Sequence, residues 1–177
     1  IARLMINNND LKQTLSNTYS QSFYELIEYT SNVETLLAKA QISSTPEYSA
    51  KTFTEIWREA NLAENSLAKI PITHVTLTSA NKFLNQVSEY SYSLSRKNIY
   101  NEELTQEDLD NLKQLYDYSK GLKNTLDQLL TDMNEGRINW DELTQNTEIA
   151  FAQQVDNLSA ATFSNLDENF GEYAGLI

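Results

Sequence analysis

The residues that could do chemistry are few and poorly placed for it. The chain has 177 residues, one histidine and no cysteine. A hydrolase triad needs an imidazole base beside its nucleophile, and zinc centres draw on several nitrogen or sulfur ligands. His74 stands alone in the stretch Pro71-Ile72-Thr73-His74-Val75-Thr76-Leu77 and reads as a polar connector residue. The lack of cysteine removes disulfides, thiolate nucleophiles and Cys-ligated metals. Two carboxylate pairs, Glu55/Glu59 and Glu103/Glu107, have the i, i+4 spacing that puts both acids on one helix face. Glycan hydrolysis needs such a pair inside a cleft, yet neither pair is flanked by the aromatic and Gly-rich segments that shape one. With 25 acids in the chain, pairs of this kind arise by chance. Thr131 to Glu142 is spaced like a calcium loop, with Gly136 sixth, Ile138 eighth and Glu142 twelfth. The first and third positions are then Thr131 and Met133, which loses two first-shell oxygens; a helix–turn–helix is expected instead. No Gly-rich phosphate loop is present. The sequence therefore predicts no catalytic residue, no cofactor and no metal, and a protein that is not an enzyme.

Charge narrows the partners further. The net charge is −12, and the excess is confined to the C-terminal part. Residues 1–101 carry nine acids and nine bases, residues 102–142 eleven and four, and residues 143–177 five and none. Phosphate backbones and anionic lipid surfaces are repelled by such a field, so no nucleic acid is expected. The acidic part is either a solvated face or a docking face for a basic partner. The ten tyrosines matter more for binding. Tyr90, Tyr92 and Tyr100 cluster near the end of one expected helix, and Tyr116 and Tyr118 lie on the next. Tyrosine on a helix is either half-buried packing with a wet hydroxyl or an interface residue. These five are the candidate contact face. Trp57 and Trp140 are read as core anchors.

The elements that must position them are helices. Four glycines and two prolines are too few for the turns of a sheet protein. Leu11, Leu15, Tyr19, Phe23, Leu26, Thr30, Val33, Leu37 and Ala40 recur at steps of three or four. They predict one helix over residues 9–41, a rod of roughly 50 Å. Ser43 to Glu47 is a break and restart, with Ser44 or Thr45 as cap and Pro46 in the first turn. Phe53, Ile56, Trp57, Ala60, Ala63, Leu67 and Ile70 mark a second helix, ended by Pro71. The β-branched connector 71–77 follows. Ala80, Phe83, Leu84, Val87, Tyr90 and Leu94 mark a third helix, and residues 98–103 a polar linker. Thr105 with Asp108 resembles a capping box. It opens a fourth helix carrying Leu109, Leu112, Leu115, Tyr116, Leu122, Leu126, Leu129, Leu130 and Met133. Ile149, Ala152, Val155, Leu158, Thr162, Leu166 and Phe170 keep a helical period more weakly. The expectation is an all-α antiparallel bundle of four to five helices with a very long first helix and no sheet. Residues 1–143 form its core; residues 144–177 form a weaker C-terminal helix and a domain edge. The long first helix also allows a homodimer through a coiled coil.

Several segments, taken in order, resemble one family. Ile56-Trp57-Arg58-Glu59-Ala60 and Leu67-Ala68-Lys69-Ile70-Pro71-Ile72 are similar to the Trp-containing helix and Leu-Pro-Leu exit of the YpeB spore germination proteins. Phe83-Leu84 and Val87-Ser88-Glu89-Tyr90-Ser91-Tyr92 are similar to that family's Phe-Leu and Asp-Phe-Ser-Tyr stretch. Leu112-Lys113-Gln114-Leu115-Tyr116 with Ser119, and Trp140 with Glu142, fit the same order. The resemblance covers roughly residues 1–143. Glu172 to Ile177 looks like the edge before the family's C-terminal PepSY domains, with Ala174 where the family would have Pro.

The resemblance implies a non-enzymatic protein of the spore envelope, on the outer, extracytoplasmic face of the inner spore membrane. Its membrane anchor would precede Ile1. Its partner would be SleB, a lytic enzyme of the cortex peptidoglycan, which the domain would bind and stabilise or regulate. The alternative is an extracytoplasmic ligand-sensing bundle, for which Arg58, Lys69 and Arg96 are the available anion handles.

Overall fold

The apolar ladders of the sequence become four long helices: α1 (Ala2–Ala40), α2 (Pro46–Leu67), α3 (His74–Ile99) and α4 (Gln106–Asn134). The computed structural model describes residues 2–42, 45–71, 74–100 and 102–140. Among the described residues there is no strand. The expected fifth helix and domain edge lie outside the described residues, as does Glu142 of the calcium-like spacing.

Each helix buries one stripe. Phe23, Leu26, Thr30, Val33, Leu37 and Ala40 line α1; Phe53, Ile56, Ala60, Ala63 and Leu67 line α2. Ala80, Phe83, Leu84, Val87, Tyr90 and Leu94 line α3; Leu112, Leu115, Leu122, Leu126 and Leu129 line α4. Burying a Leu, Ile or Phe side chain contributes about 1.5–3 kcal/mol, so these stripes supply the drive for a bundle whose polar faces are Asn-, Ser- and Thr-rich. Cross-helix pairs give the topology. Asn32 donates to Glu59 at 2.9 Å and Ser66 to Glu25 at 3.2 Å, so α1 and α2 run antiparallel. Tyr90 meets Asp108 while Phe83 meets Tyr118, so α3 and α4 do too.

The seams differ in width. α2 and α3 pack most closely, because Ala60 and Ala63 on one helix and Ala80, Ser88, Ser91 and Ser95 on the other are small buried residues, and helix separation follows side-chain size. The α3–α4 backbones stay farther apart. Large rings fill that seam, with Phe83 and Tyr118 at 4.2 Å between centroids. Its register is set by a buried carboxylate. Asp108 caps α4 in a reciprocal box with Thr105: its own N–H donates to Thr105 Oγ1 at 3.1 Å, and the Thr105 N–H donates to Asp108 Oδ2 at 2.8 Å. Oδ1 accepts from the Tyr90 hydroxyl at 2.9 Å, and both oxygens accept from Lys97 Nζ at 3.1 Å.

The ends follow local rules. Thr45 caps α2 by accepting the Tyr48 N–H, and Pro46 fills the first turn. α4 ends in a paired closure: the Gly136 N–H reaches Met133 O at 3.1 Å, and the Arg137 N–H reaches Asp132 O at 2.9 Å. This Schellman arrangement needs a left-handed residue, supplied by Gly136 at φ 71°. Trp140 then folds back on α1. Its indole meets Tyr19 at 5.8 Å and Phe23 at 5.9 Å edge-on, and donates to Ser20 Oγ at 2.9 Å.

Four expectations need correction. α1 starts at Ala2, well before residue 9, since nothing in residues 2–8 breaks a helix. The connector is shorter than 71–77: α3 is already helical at His74, because a β-branched turn with no partner strand gains more from continuing the helix. At its other end α3 runs to Ile99 with Asn98 buried, so the polar linker starts later. Glu103 precedes the Thr105 cap, so Glu103 and Glu107 share no helix face.

Asp108 titrates abnormally. Burial works to raise its pKa, but hydrogen bonds from the Thr105 N–H, Lys97, the Thr105 hydroxyl and Tyr90 together outweigh it and hold the carboxyl below its ordinary value. A carboxyl depressed in the folded state stabilises above its unfolded pKa, and that stability is lost as pH falls through the folded value. Asp108→Ala is expected to cost about 2–4 kcal/mol at pH 7, with the deficit shrinking in acid; urea unfolding at the two pH values checks this. The buried Thr30 hydroxyl, in contrast, has no hydrogen-bond partner. Thr30→Val is expected to raise stability by about 1 kcal/mol, read as a higher urea midpoint with an unchanged slope.

Candidate interaction surface

The outer side of the α2–α3 pair carries the exposed aromatics. A strict three-and-four ladder through Phe53, Ile56, Ala60, Ala63 and Leu67 points those residues inward. Trp57, one residue past Ile56, is thereby turned about 100° off the stripe. It is 41% exposed, not a core anchor as its apolar neighbours suggest. Tyr92 is displaced from the α3 stripe in the same way and is 44% exposed. The two rings meet across the seam at 5.6 Å with a 42° tilt. One turn along, Asn61 Nδ2 donates to Ser88 Oγ at 2.8 Å and to the Trp57 carbonyl at 2.7 Å. Beyond it, burial raises the pKa of Glu64, with the Glu89 carboxylate adding to the rise and the Asn85 hydrogen bond opposing it.

In the other direction the same α3 ridge carries Arg96, then Ile99 and Tyr100, all exposed. Tyr100 is 66% exposed, and its N–H still bonds the carbonyls of Arg96 and Lys97, which keeps it in helical register with Tyr92. An aromatic pair, a guanidinium and two further large side chains thus lie along one face. Trp, Tyr and Arg are the residues that dominate binding energy at protein interfaces.

The five tyrosines expected to form a contact face do not stay together. Tyr92 and Tyr100 lie on this ridge. Tyr90 is buried with its hydroxyl on Asp108, and Tyr118 is buried against Phe83. Tyr116 is half-buried on α4 with the Lys120 ammonium 5.4 Å from its ring centroid. Trp57 and Ile99 were not among the expected contact residues. Trp57 is legible from its step off the ladder; Ile99 becomes visible only once α3 extends to residue 99.

The groups considered for chemistry are otherwise engaged. Glu59 accepts from Arg58 at 2.8 Å and from Asn32, and so ties α1 to α2. Asp132, the second residue of the calcium-like spacing, is held by Arg137 at 2.6 Å, which lowers its pKa together with the Gln128 hydrogen bond. Arg137 also pairs with Glu135. Among the described residues no cluster of acids and histidines could hold a metal ion. On α4, Lys113 pairs with Asp117 and Lys123 with Asp127, so two of the acids there are engaged in i, i+4 pairs. A cleft of about 250 Å³ lies between α1 and the end of α4, walled by Phe23, Tyr24, Leu130, Met133, Ile138 and Trp140. Among the described residues no acid or base lines it, and the expected anion handles lie elsewhere: Arg58 on Glu59, Lys69 3.9 Å from Glu25, Arg96 on the outer ridge.

Residues 7–142 match the YpeB N-terminal family. The chain belongs to that family. Curated relatives named sporulation protein YpeB cover most of it: 27% identity over 153 residues in Halalkalibacterium halodurans, 27% over 167 in Oceanobacillus iheyensis, and 20% over 161 in Bacillus subtilis. These alignments take in 86%, 93% and 89% of this chain and 34%, 37% and 35% of the relatives. The chain thus spans about a third of the length of the YpeB proteins it matches. No solved structure matches. The family match ends two residues past Trp140. The relatives are named for sporulation, and the matching family is not described by a catalytic activity.

The two tryptophans report on opposite environments, since Trp140 is buried and Trp57 is exposed. Trp57→Phe is expected to leave a blue-shifted emission poorly quenched by acrylamide, whereas the parent chain is quenched in two components.

Proposed function

We propose that this chain is a non-catalytic docking domain of a spore germination protein. It binds a cortex-lytic enzyme of the SleB kind and keeps it folded until germination, at the outer face of the inner spore membrane, held there by an anchor preceding Ile1. The observation that carries the reading is the exposed Trp57–Tyr92 pair with Arg96, Ile99 and Tyr100 along one ridge of a domain that belongs to the YpeB family. A protein that binds only the folded form of its partner stabilises it by mass action: at a free concentration a hundred times Kd the gain is about 2.7 kcal/mol. It also shields segments a protease would cut. Such a role needs a rigid surface and no reactive group. The ridge offers that, because Asn61 and Ser88 bridge the two helices one turn from the rings.

Capture of the purified lytic enzyme by this chain tests the reading. The parent chain is expected to retain the enzyme and to slow its proteolysis. Trp57→Ala and Tyr92→Ala are each expected to weaken capture by roughly thirtyfold, the scale of an interface hot spot. Both positions are substantially exposed, so circular dichroism should remain that of the parent. Equal capture by parent and double variant would remove the ridge from the interface. No capture by either would remove the enzyme as partner.

A further inference from the structure

The docking ridge is not electrically uniform along its length. Asn85, Glu89, Tyr92 and Arg96 follow one another on α3 at steps of four, three and four, and all are exposed. Tyr92 thus has a carboxylate about one turn to one side and a guanidinium about one turn to the other. On α2, Glu64 lies two turns beyond Trp57, about 10 Å along the axis at 1.5 Å per residue. There it meets α3 again: the Asn85 side chain hydrogen-bonds it, and the Glu89 carboxylate repels it. Acids from two helices therefore share one end of the ridge, the ring pair holds the middle, and Arg96 marks the other end.

The acidic end is unfavourable as it stands. Glu64 is half-buried. Burial and Glu89 both work against its charge, and the Asn85 amide alone favours it. Other acids of the bundle are answered within the chain: Glu59 by Arg58, Asp108 by Lys97, Asp132 by Arg137. Among the described residues no base acts on Glu64 in this way. A cation brought by a partner would answer both carboxylates at once, and the attraction would strengthen as the partner excluded water. The rest of this chain is a poor source of that cation, since residues 143–177 carry five acids and no base.

We propose that the ridge accepts a basic protein segment, with a lysine or arginine seated at Glu64 and Glu89 and an apolar side chain laid on Trp57 and Tyr92. This rests on the docking reading of the ridge. It adds the chemistry of the partner and the direction in which the segment lies, base towards Glu64 and away from Arg96.

The probe is an amphipathic helical peptide of leucine, lysine and alanine, at an ionic strength of about 0.15 M to screen long-range attraction. A peptide with glutamate in place of lysine is its control. The lysine peptide is expected to shift the Trp57 emission to the blue, and the glutamate peptide to leave it unchanged; the shift is expected to vanish in Trp57→Phe. Glu64→Gln with Glu89→Gln is expected to weaken the lysine peptide about tenfold, the scale of a close charge pair lost at an interface. Glu107→Gln with Asp110→Asn, exposed acids on α4, changes the net charge equally and is expected to have less than about a twofold effect. Glutamine at position 64 removes a repelled charge, so the double variant is expected to melt no lower than the parent. Equal weakening by the two double variants, or no preference for lysine over glutamate, overturns the proposal. So does a parent chain that sediments as a dimer and is dissociated by Glu64→Gln with Glu89→Gln, which would give the acidic end to Arg96 of a second copy. Capture of the lytic enzyme that is lost in Trp57→Ala but unchanged in Glu64→Gln with Glu89→Gln overturns this proposal and leaves the docking reading. Peptide selectivity without enzyme capture supports this proposal and removes the enzyme as partner.

Discussion

The seam between α3 and α4 is too wide for the helix backbones to interlock, and its register rests on the carboxylate of Asp108. Aromatic rings fill the space, but rings slide more easily than interdigitated small residues do. Asp108 removes that freedom. It closes the first turn of α4, takes the Tyr90 hydroxyl from the middle of α3 and takes the Lys97 ammonium from near its end. The bonds from Tyr90 and Lys97, made to a carboxylate that its own capping box holds still, fix the position of α4 along α3. Burial would disfavour the charge, and the donors around it more than offset that cost. The bundle is thus held by two different means: close packing of small residues between α2 and α3, and directed polar bonds between α3 and α4.

That division explains where the open aromatic surface can lie. The α3–α4 seam needs its large rings inside, so Tyr90, Phe83 and Tyr118 are consumed by the core. The α2–α3 seam is already closed by alanine and serine, so large residues that fall beside the stripe have no interior space left. Trp57 and Tyr92 meet each other outside instead. The same geometry makes the surface stiff, because the helices behind it are the most closely packed pair. A docking ridge on such a pair loses little conformational freedom when a partner arrives, and preorganised surfaces bind with less entropic cost.

Much of this was legible in the sequence. The helix stripes, the Thr45 cap, the Thr105–Asp108 box and the stop at Gly136 all follow from local rules, and all are present. Side assignment was less legible. Trp57 and Leu109 are apolar and sit next to ladder residues, and hydrophobicity alone placed them inside. Spacing places them on the flank, because Ile56 and Leu112 already occupy the inward positions of a strict three-and-four ladder. Tyr90 and Tyr92 make the same point in reverse. They look alike in sequence, yet two residues rotate a helix by about 200°, which sends one to Asp108 and the other to solvent. The depth of Asp108 was not readable at all: a capping box is usually a surface device, and only the distant partners Tyr90 and Lys97 bury this one.

The seat of Trp140 has a mechanical consequence. The indole is gripped by two rings and one hydroxyl of α1, so Trp140 is held beside residues 19–23 of that helix. Tension applied past residue 140 would act first on this grip and be passed to α1 along its length. The glycine turn at the end of α4 would carry little of it. Load travelling between Ala2 and Trp140 would therefore run chiefly through the first half of α1, with the ridge on α2 and α3 standing off that line. A partner held there would be insulated from strain in the rest of the polypeptide.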